Sequence, residues 1–261
     1  MSTEQIQLTM VKFLRNKGYK KISYNNYYIV AEGALPVTLV AHMDTVFNHL
    51  PQKIYYDPVE TVLWSPQGLG ADDKAGVCAI IKLIELGFNP SIVLTNLEEC
   101  GGIGANELIK DYPGCPFSDC KAIIELDRQG ENDCVFYDCD NKEFEKLINS
   151  YGFETELGTF TDISIIAPQW STAAVNLSVG YYNEHSPIET LNITQLKSTI
   201  NKVSQMLKNC QGWKNYSYIR RADFPFVWNK KCVICDKELK DNEGRLYSGF
   251  RLCDSCFQLY Y

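Results

Sequence analysis

Nowhere in the 261 residues does an apolar run reach the roughly 18 residues that a membrane helix needs. The N-terminal stretch "MSTEQIQLTMVKFLRNKG" lacks an uninterrupted hydrophobic segment followed by a small-residue cleavage site. Membrane insertion and secretion are therefore not expected, and the chain reads as a soluble cytoplasmic protein. Excess positive charge is missing too. With 25 Lys and Arg against 32 Asp and Glu, the net charge of −7 argues against nucleic acid or an anionic lipid surface as a general partner. Internal repeats and low-complexity segments are absent, and 45% hydrophobic residues in a chain of this length support a sizeable core. Histidine is scarce, with only three, so the place of each carries weight.

Cysteine, by contrast, is abundant. Eleven is a high and odd number, and without a secretion signal it points to reduced thiols and metal ligation in preference to disulfides. Cys78, Cys100, Cys115, Cys120, Cys134, Cys139 and Cys210 are scattered, whereas Cys232, Cys235, Cys253 and Cys256 form two CxxC pairs near the end.

The first element is expected to be a helix. Ser2 and Gln5 fit a capping box, Ile6, Met10, Phe13 and Leu14 recur at helical spacing, and Gly18 can end it. A hairpin is expected around "YNNYYIV". Short apolar strands then alternate with helical stretches: strand 37–41, helix 73–86, strand "SIVLTNL", helix 104–111 and strand "AIIEL". A helix at 141–150, the strand "AAVNLSV" and a final amphipathic helix with Ile193, Leu196, Ile200, Val203 and Leu207 on one face complete the series. This alternation predicts an α/β fold with a mostly parallel sheet covered by helices. Three segments are expected: a catalytic domain over 1–210, an irregular aromatic surface connector over 211–231, and a small cysteine module over 232–261.

In open α/β sheets, ligands gather at the carboxyl ends of the parallel strands. The apolar stretch 37–41 gives way to His42 and Asp44, "WSPQGLGA" to Asp72 and Asp73, and "IVLTNL" to Glu98 and Glu99. "AIIEL" leads to Asp127, and "AAVNLSVGYYNE" to His185. A lone histidine is usually structural and a lone acidic pair usually a solvated face, but here five separate segments each deliver a metal-ligand type at the place where a site would form. His49, in "FNHLP", reads as a loop residue.

The motifs "AHMDT", "GLGADDKAG", "LEECGGIGA", "ELD", "GTFTD" and "NEHSPIET" follow one another over residues 38–191. Together they resemble the dinuclear zinc exopeptidases and amidohydrolases, the group that includes peptidase T, carboxypeptidase G, aminoacylase and the single-domain zinc aminopeptidases. The resemblance implies two divalent ions, zinc by analogy, with Asp72 as the bridging carboxylate. It implies His42 and Glu99 as ligands of one ion, and Asp127 and His185 as ligands of the other. Physical chemistry agrees with such a set, since two dications held close together need several anionic ligands to offset their charge. Asp44 is placed to orient His42, and Glu98 to act as the general base on the water between the ions. Asp73 and Lys74 are expected to serve the helix start. Only 34 residues separate Asp127 from Asp162, too few for the inserted lid domain of about a hundred residues that many members carry.

The cysteine tail, "CVICDKELKDNEGRLYSGFRLCDSC", sets its two CxxC pairs 17 residues apart, a spacing that fits a four-thiolate structural zinc site of zinc-ribbon or treble-clef type. A redox role would need one such pair at a helix start in a thioredoxin-like unit, which the pattern does not offer. Arg220, Arg221, Lys230 and Lys231 lend some positive charge nearby, but acidic residues dilute it; protein contact or bracing is preferred over nucleic acid.

The expected activity is metal-dependent hydrolysis of a peptide or an acylated amino acid, as an aminopeptidase; the alternative is a dipeptidase or N-acyl amino acid hydrolase. A reading of another class is a non-catalytic adaptor that binds a protein or nucleic acid through the zinc module. Arg128, Asp162 and Tyr182 are the candidate substrate-facing residues, Tyr182 together with its neighbours Tyr181 and Asn183 just ahead of His185, with an arginine pointing away from the cleft as the other reading of Arg128.

Overall fold

The computed structural model describes residues 3–221 and, beyond them, residues 231, 232, 235, 237–240, 245–247, 250–253, 255 and 256. Helix α1 (Thr3–Asn16) turns Ile6, Met10, Val11 and Leu14 inward, and Gly18 follows it at φ 90°, the left-handed conformation that lets a helix end. The residue expected to cap this helix, Ser2, lies outside the described residues. The antiparallel pair β1 (Ile22–Tyr24) and β2 (Tyr28–Ala31) leads into β3 (Leu35–His42). A hairpin of β4 (Tyr55–Asp57) and β5 (Val62–Trp64), which the sequence pattern did not announce, precedes α2 (Ala71–Glu85). Next come β6 (Pro90–Thr95), α3 (Ile103–Asp111), β7 (Ala122–Arg128), β8 (Asp133–Val135), α4 (Lys142–Asn149) and β9 (Glu154–Thr155). The chain continues through α5 (Asp162–Trp170), β10 (Ala174–Ser178), β11 (Tyr181–Tyr182), β12 (Thr190–Asn192) and α6 (Ile193–Asn209). Two short strands in the tail, β13 (Arg245–Tyr247) and β14 (Phe250–Leu252), pair antiparallel between the CxxC pairs.

Eight strands form one sheet in the order β1-β2-β6-β3-β7-β10-β8-β9, and the central four, β6, β3, β7 and β10, run parallel. Alternating side chains of β3 divide the core in two. Leu39 and Ala41 face a cluster built with α1, α2, α4 and α6, whereas Val40 packs with Leu108 of α3 and Ile163, Ile166 and Trp170 of α5. With both faces covered, the central strands are nearly continuous apolar runs. The expected mostly parallel α/β fold is the one observed.

Two sequence expectations change. The stretch between "GTFTD" and β10 forms a helix, α5, whose helical pattern is broken by the internal Pro168. The beginning of the expected surface connector is core: Trp213 and Tyr216 are buried, and Tyr216 stacks at a tilt on Phe144 with ring centroids 5.1 Å apart. Among the described residues no helix is long and apolar enough to cross a membrane.

Candidate active site

β3 is buried from Pro36 through its last residue, so His42 enters the crevice above the sheet from a rigid strand. Its Nδ1 lies 3.3 Å from Asp44 Oδ1, and its Nε2 lies 3.0 Å from Asp72 Oδ1 and 3.5 Å from Asp127 Oδ1. On the other side, His185 Nε2 lies 3.2 Å from Asp72 Oδ2 and 2.8 Å from Glu99 Oε2. Asp72 thus presents one oxygen to each histidine. The ligand atoms of His42, Asp72 and Asp127 all lie within 4.8 Å of one another, and so do those of Asp72, Glu99 and His185.

This arrangement brings the five expected ligand candidates together around a shared Asp72, with Asp127 and Glu99 exchanged between the two histidines. Asp127 stands with His42 and Glu99 with His185: β6 and β7 both flank β3, but the Asp127 carboxylate comes within 3.5 Å of His42 while Glu99, four residues past the end of β6, reaches His185 at 2.8 Å. Asp44 takes the expected place beside His42 and does more: its two oxygens accept the backbone N–H groups of Glu98 and Glu99, each at 3.2 Å. Asp73 serves the helix start, as expected, accepting Gly76 N–H at 2.9 Å, and it also accepts His42 N–H at 3.2 Å. A cis peptide joins Asp72 to Asp73. His49 is exposed in its loop.

Supporting residues that sequence reasoning missed surround the site. The buried Glu189 carboxylate accepts the N–H groups of Leu69 at 3.1 Å, Asp72 at 3.0 Å and, by a shorter contact, Gly70. It thereby fixes the strand-to-helix turn that carries Asp72. Asn176 accepts Asp127 N–H at 2.9 Å and donates to its carbonyl at 2.7 Å, while the Tyr181 and Thr161 hydroxyls reach the Asp127 carboxylate at 3.2 and 3.1 Å. Glu125, in the middle of β7, is buried beneath the site. The available signals were an acid inside the apolar run "AIIELD" and a glutamate four residues past His185.

Two substrate candidates do not reach the cleft. Asp162 is fully buried and accepts a hydrogen bond from the Thr95 hydroxyl, because it opens α5 on the inner side. The Tyr182 hydroxyl donates to Gln195 at 2.8 Å, and strand alternation leaves Tyr181, of the three neighbours expected there, as the one that lines the cleft. Arg128 does line the cleft. So do Glu98, Phe160 and Glu184, around a cavity of about 170 Å³.

Electrostatics follow from packing these carboxylates together. Burial, reinforced by Asp127, Asp162 and Glu99 and opposed by His42, pushes Glu98 up to about 9. Burial and Asp72 raise Asp127 to about 7 against His42, and burial raises Glu125 well above the carboxylate range. Burial opposes charge on His42, yet Asp127, Asp44 and Asp72 hold its pKa well above the ordinary value. Hydrogen bonds to Asp72 and Glu99 lift His185 to about 11. Asp72 shifts down despite its burial, held by the two imidazoles. A site this rich in anions calls for positive charge, and the buried Glu99 Oε1, which has no hydrogen-bond partner, is an oxygen that a cation would satisfy. The donor set fits the pair of divalent ions implied by the sequence resemblance.

No protein-family profile and no curated protein matches the chain. Solved structures match its fold. A tripeptidase from Staphylococcus aureus superimposes with a TM-score of 0.64 at 15% identity, over 80% of this chain and 93% of the other. Aminopeptidase PepT from Bacillus cereus gives 0.61 at 14%, over 78% and 92%. A protein described as an endoglucanase from Thermotoga maritima gives 0.52 at 12%, over 78% and 91%, so the reaction has to be argued from the site. The chain has the α/β fold of the tripeptidase and aminopeptidase structures on which it superimposes.

Proposed function

We propose that this chain hydrolyses peptide or amide bonds as a two-metal enzyme, acting as an aminopeptidase. The observation that supports this most directly is Asp72, whose two oxygens belong to two separate three-ligand groups, while Glu98 faces the same cavity and belongs to neither. Three carboxylates and two imidazoles, with Asp72 shared, suit zinc or a similar ion in each group. Two such ions would lower the pKa of a water and polarise the scissile carbonyl.

The chain's own residues supply the rest. Glu98, brought back down to its carboxylate form by the positive charge of two ions, would take the proton of the attacking water and return it to the leaving nitrogen. Asp44 orients His42 through Nδ1 and at the same time anchors the backbone of the Glu98–Glu99 turn, so base and ligand keep a fixed separation. Glu189 and Asn176 hold the backbone of Asp72 and Asp127.

A structural zinc on Cys232, Cys235, Cys253 and Cys256 belongs to the same reading. Their sulfurs lie within 4.8 Å of one another, with Cys235 and Cys253 Sγ 3.7 Å apart, and Cys256 N–H donates to Cys253 Sγ at 3.4 Å. The crowded neighbouring thiols Cys253 and Cys235 push Cys256 up to about 12, a penalty that a dication would remove. We read residues 1–210 as the catalytic unit and 232–261 as a zinc module for protein contact or bracing, in a cytoplasmic enzyme.

The test is hydrolysis of aminoacyl and dipeptide substrates by zinc-loaded protein, before and after a chelator and after zinc is restored. Activity that the chelator abolishes and zinc returns supports the proposal; activity indifferent to chelation would refute it.

A further inference from the structure

Arg128 directly follows the metal-ligand candidate Asp127, and neighbours in a regular strand face opposite sides of a sheet. Here the pairing of β7 with β10 slips between Asn176 and Ser178, and the Asn176 side chain takes over the backbone of Asp127 with one accepted and one donated hydrogen bond. Such irregularities at strand ends re-aim side chains. The result is that Asp127 and Arg128 line the same cavity.

Among the described residues that line that cavity Arg128 is the only lysine or arginine, beside the carboxylates of Asp72, Glu98, Asp127 and Glu184. Its ties to the protein are few. Nη2 lies 3.4 Å from the Leu157 carbonyl and 3.9 Å from Asp133 Oδ2, a long and partly exposed pair of the kind that contributes little. The buried Nε has no hydrogen-bond partner. A guanidinium carries five N–H donors in a fork matched to a carboxylate, so most of this one's donor capacity is unused. A cation beside a site built to hold dications is unfavourable unless something anionic arrives between them.

We propose that Arg128 receives a free carboxylate lying just beyond the scissile nitrogen, so that the cleft selects short substrates by their C-terminus. This rests on the hydrolase reading above and narrows it. Dipeptides carry such a carboxylate, as do N-acyl amino acids, whereas the interior of a long peptide does not.

The experiment compares acid and amide forms of two substrates, Ala-Ala with Ala-Ala amide and N-acetylalanine with its amide, on zinc-loaded wild type, Arg128→Lys and Arg128→Met. Binding of a reduced-bond Ala-Ala analogue, in acid and amide forms, is measured by calorimetry alongside. Wild type should favour the acid about 10-fold or more in kcat/KM, chiefly through KM, in whichever pair it hydrolyses, and that pair identifies the source of the carboxylate. The analogue should show the same preference. Arg128→Lys should retain part of it, and Arg128→Met should bring the acid-to-amide ratio near one. Equal use of acid and amide by wild type overturns the assignment while leaving the hydrolase reading intact, as does an unchanged ratio in Arg128→Met. Hydrolysis of none of the four compounds overturns the hydrolase reading, and the Arg128 assignment with it.

Discussion

Glu98 and Glu99 are adjacent and share the Asp44 anchor, and the proposed reaction gives them different duties. Glu98→Gln keeps size and shape but cannot accept and return a proton, so both ions should remain bound while turnover falls roughly 10²-fold or more. Glu99→Gln should weaken one ion site as well as the rate. Elemental analysis paired with initial rates separates the two, and wild-type turnover by a fully loaded Glu98→Gln would remove Glu98 from its role. Glu189→Gln probes support at a distance. One of the oxygens that accept N–H groups becomes a donor facing a donor, so we expect a stability loss of about 1–3 kcal/mol together with weaker metal retention, read by denaturant unfolding and dialysis. The candidate ligands were legible because His42 and Asp127 stand where apolar strands end, and Asp72, Glu99 and His185 follow in the helix start and loops that leave the same end of the sheet. Glu189, Asn176 and Glu125 were not, because their meaning depends on partners across the fold. Glu189 acts on Asp72, 117 positions away, and Asn176 on Asp127, 49 away.

At the scale of elements, the site depends on α2 lying directly on β7. A Cβ built on Gly76 would sit 1.9 Å from the Leu126 carbonyl oxygen and 2.6 Å from both Asp73 carboxylate oxygens. The obstacle is strand backbone next to Asp127, so no side-chain rotation can relieve it. Gly76→Ala should therefore destabilise the fold by roughly 1–3 kcal/mol, the usual range for overpacking, and displace Asp72 relative to Asp127. The measurement is thermal unfolding together with metal stoichiometry; a variant matching wild type in both would show that α2 can shift without cost. Elements with strong periodicity, such as β3, α2 and α6, were readable in advance because a single pattern covers each. The helix α5 was not, since Pro168 and its short length hide the period. The pairing of the candidate ligands was equally invisible, because Glu99 and His185 meet through loops that leave the sheet from different strands, a proximity that no local pattern encodes.

For the whole molecule, the two proposed kinds of metal site would differ in enclosure. Four thiolates would surround their ion completely, while the cleft would keep a position open for water and substrate. Mild chelation should therefore remove two ions from the cleft first and leave one zinc on the cysteines. Loss of the cleft ions should also lower the unfolding temperature of the catalytic unit, because ligands that bind only the folded state stabilise it and the anion-rich cleft loses its counter-charge. Cys232→Ser leaves three thiolates and an imperfect cage, so the variant should lose the chelator-resistant zinc while the cleft can still be loaded and turn over a small substrate. Elemental analysis before and after chelation, on wild type and on Cys232→Ser, reads both expectations at once. Retention of no zinc by chelated wild type would dissolve the structural site. A Cys232→Ser protein that folds and binds both cleft ions yet hydrolyses nothing would instead make the cysteine module part of the active site, since an independent brace has no other route to the chemistry.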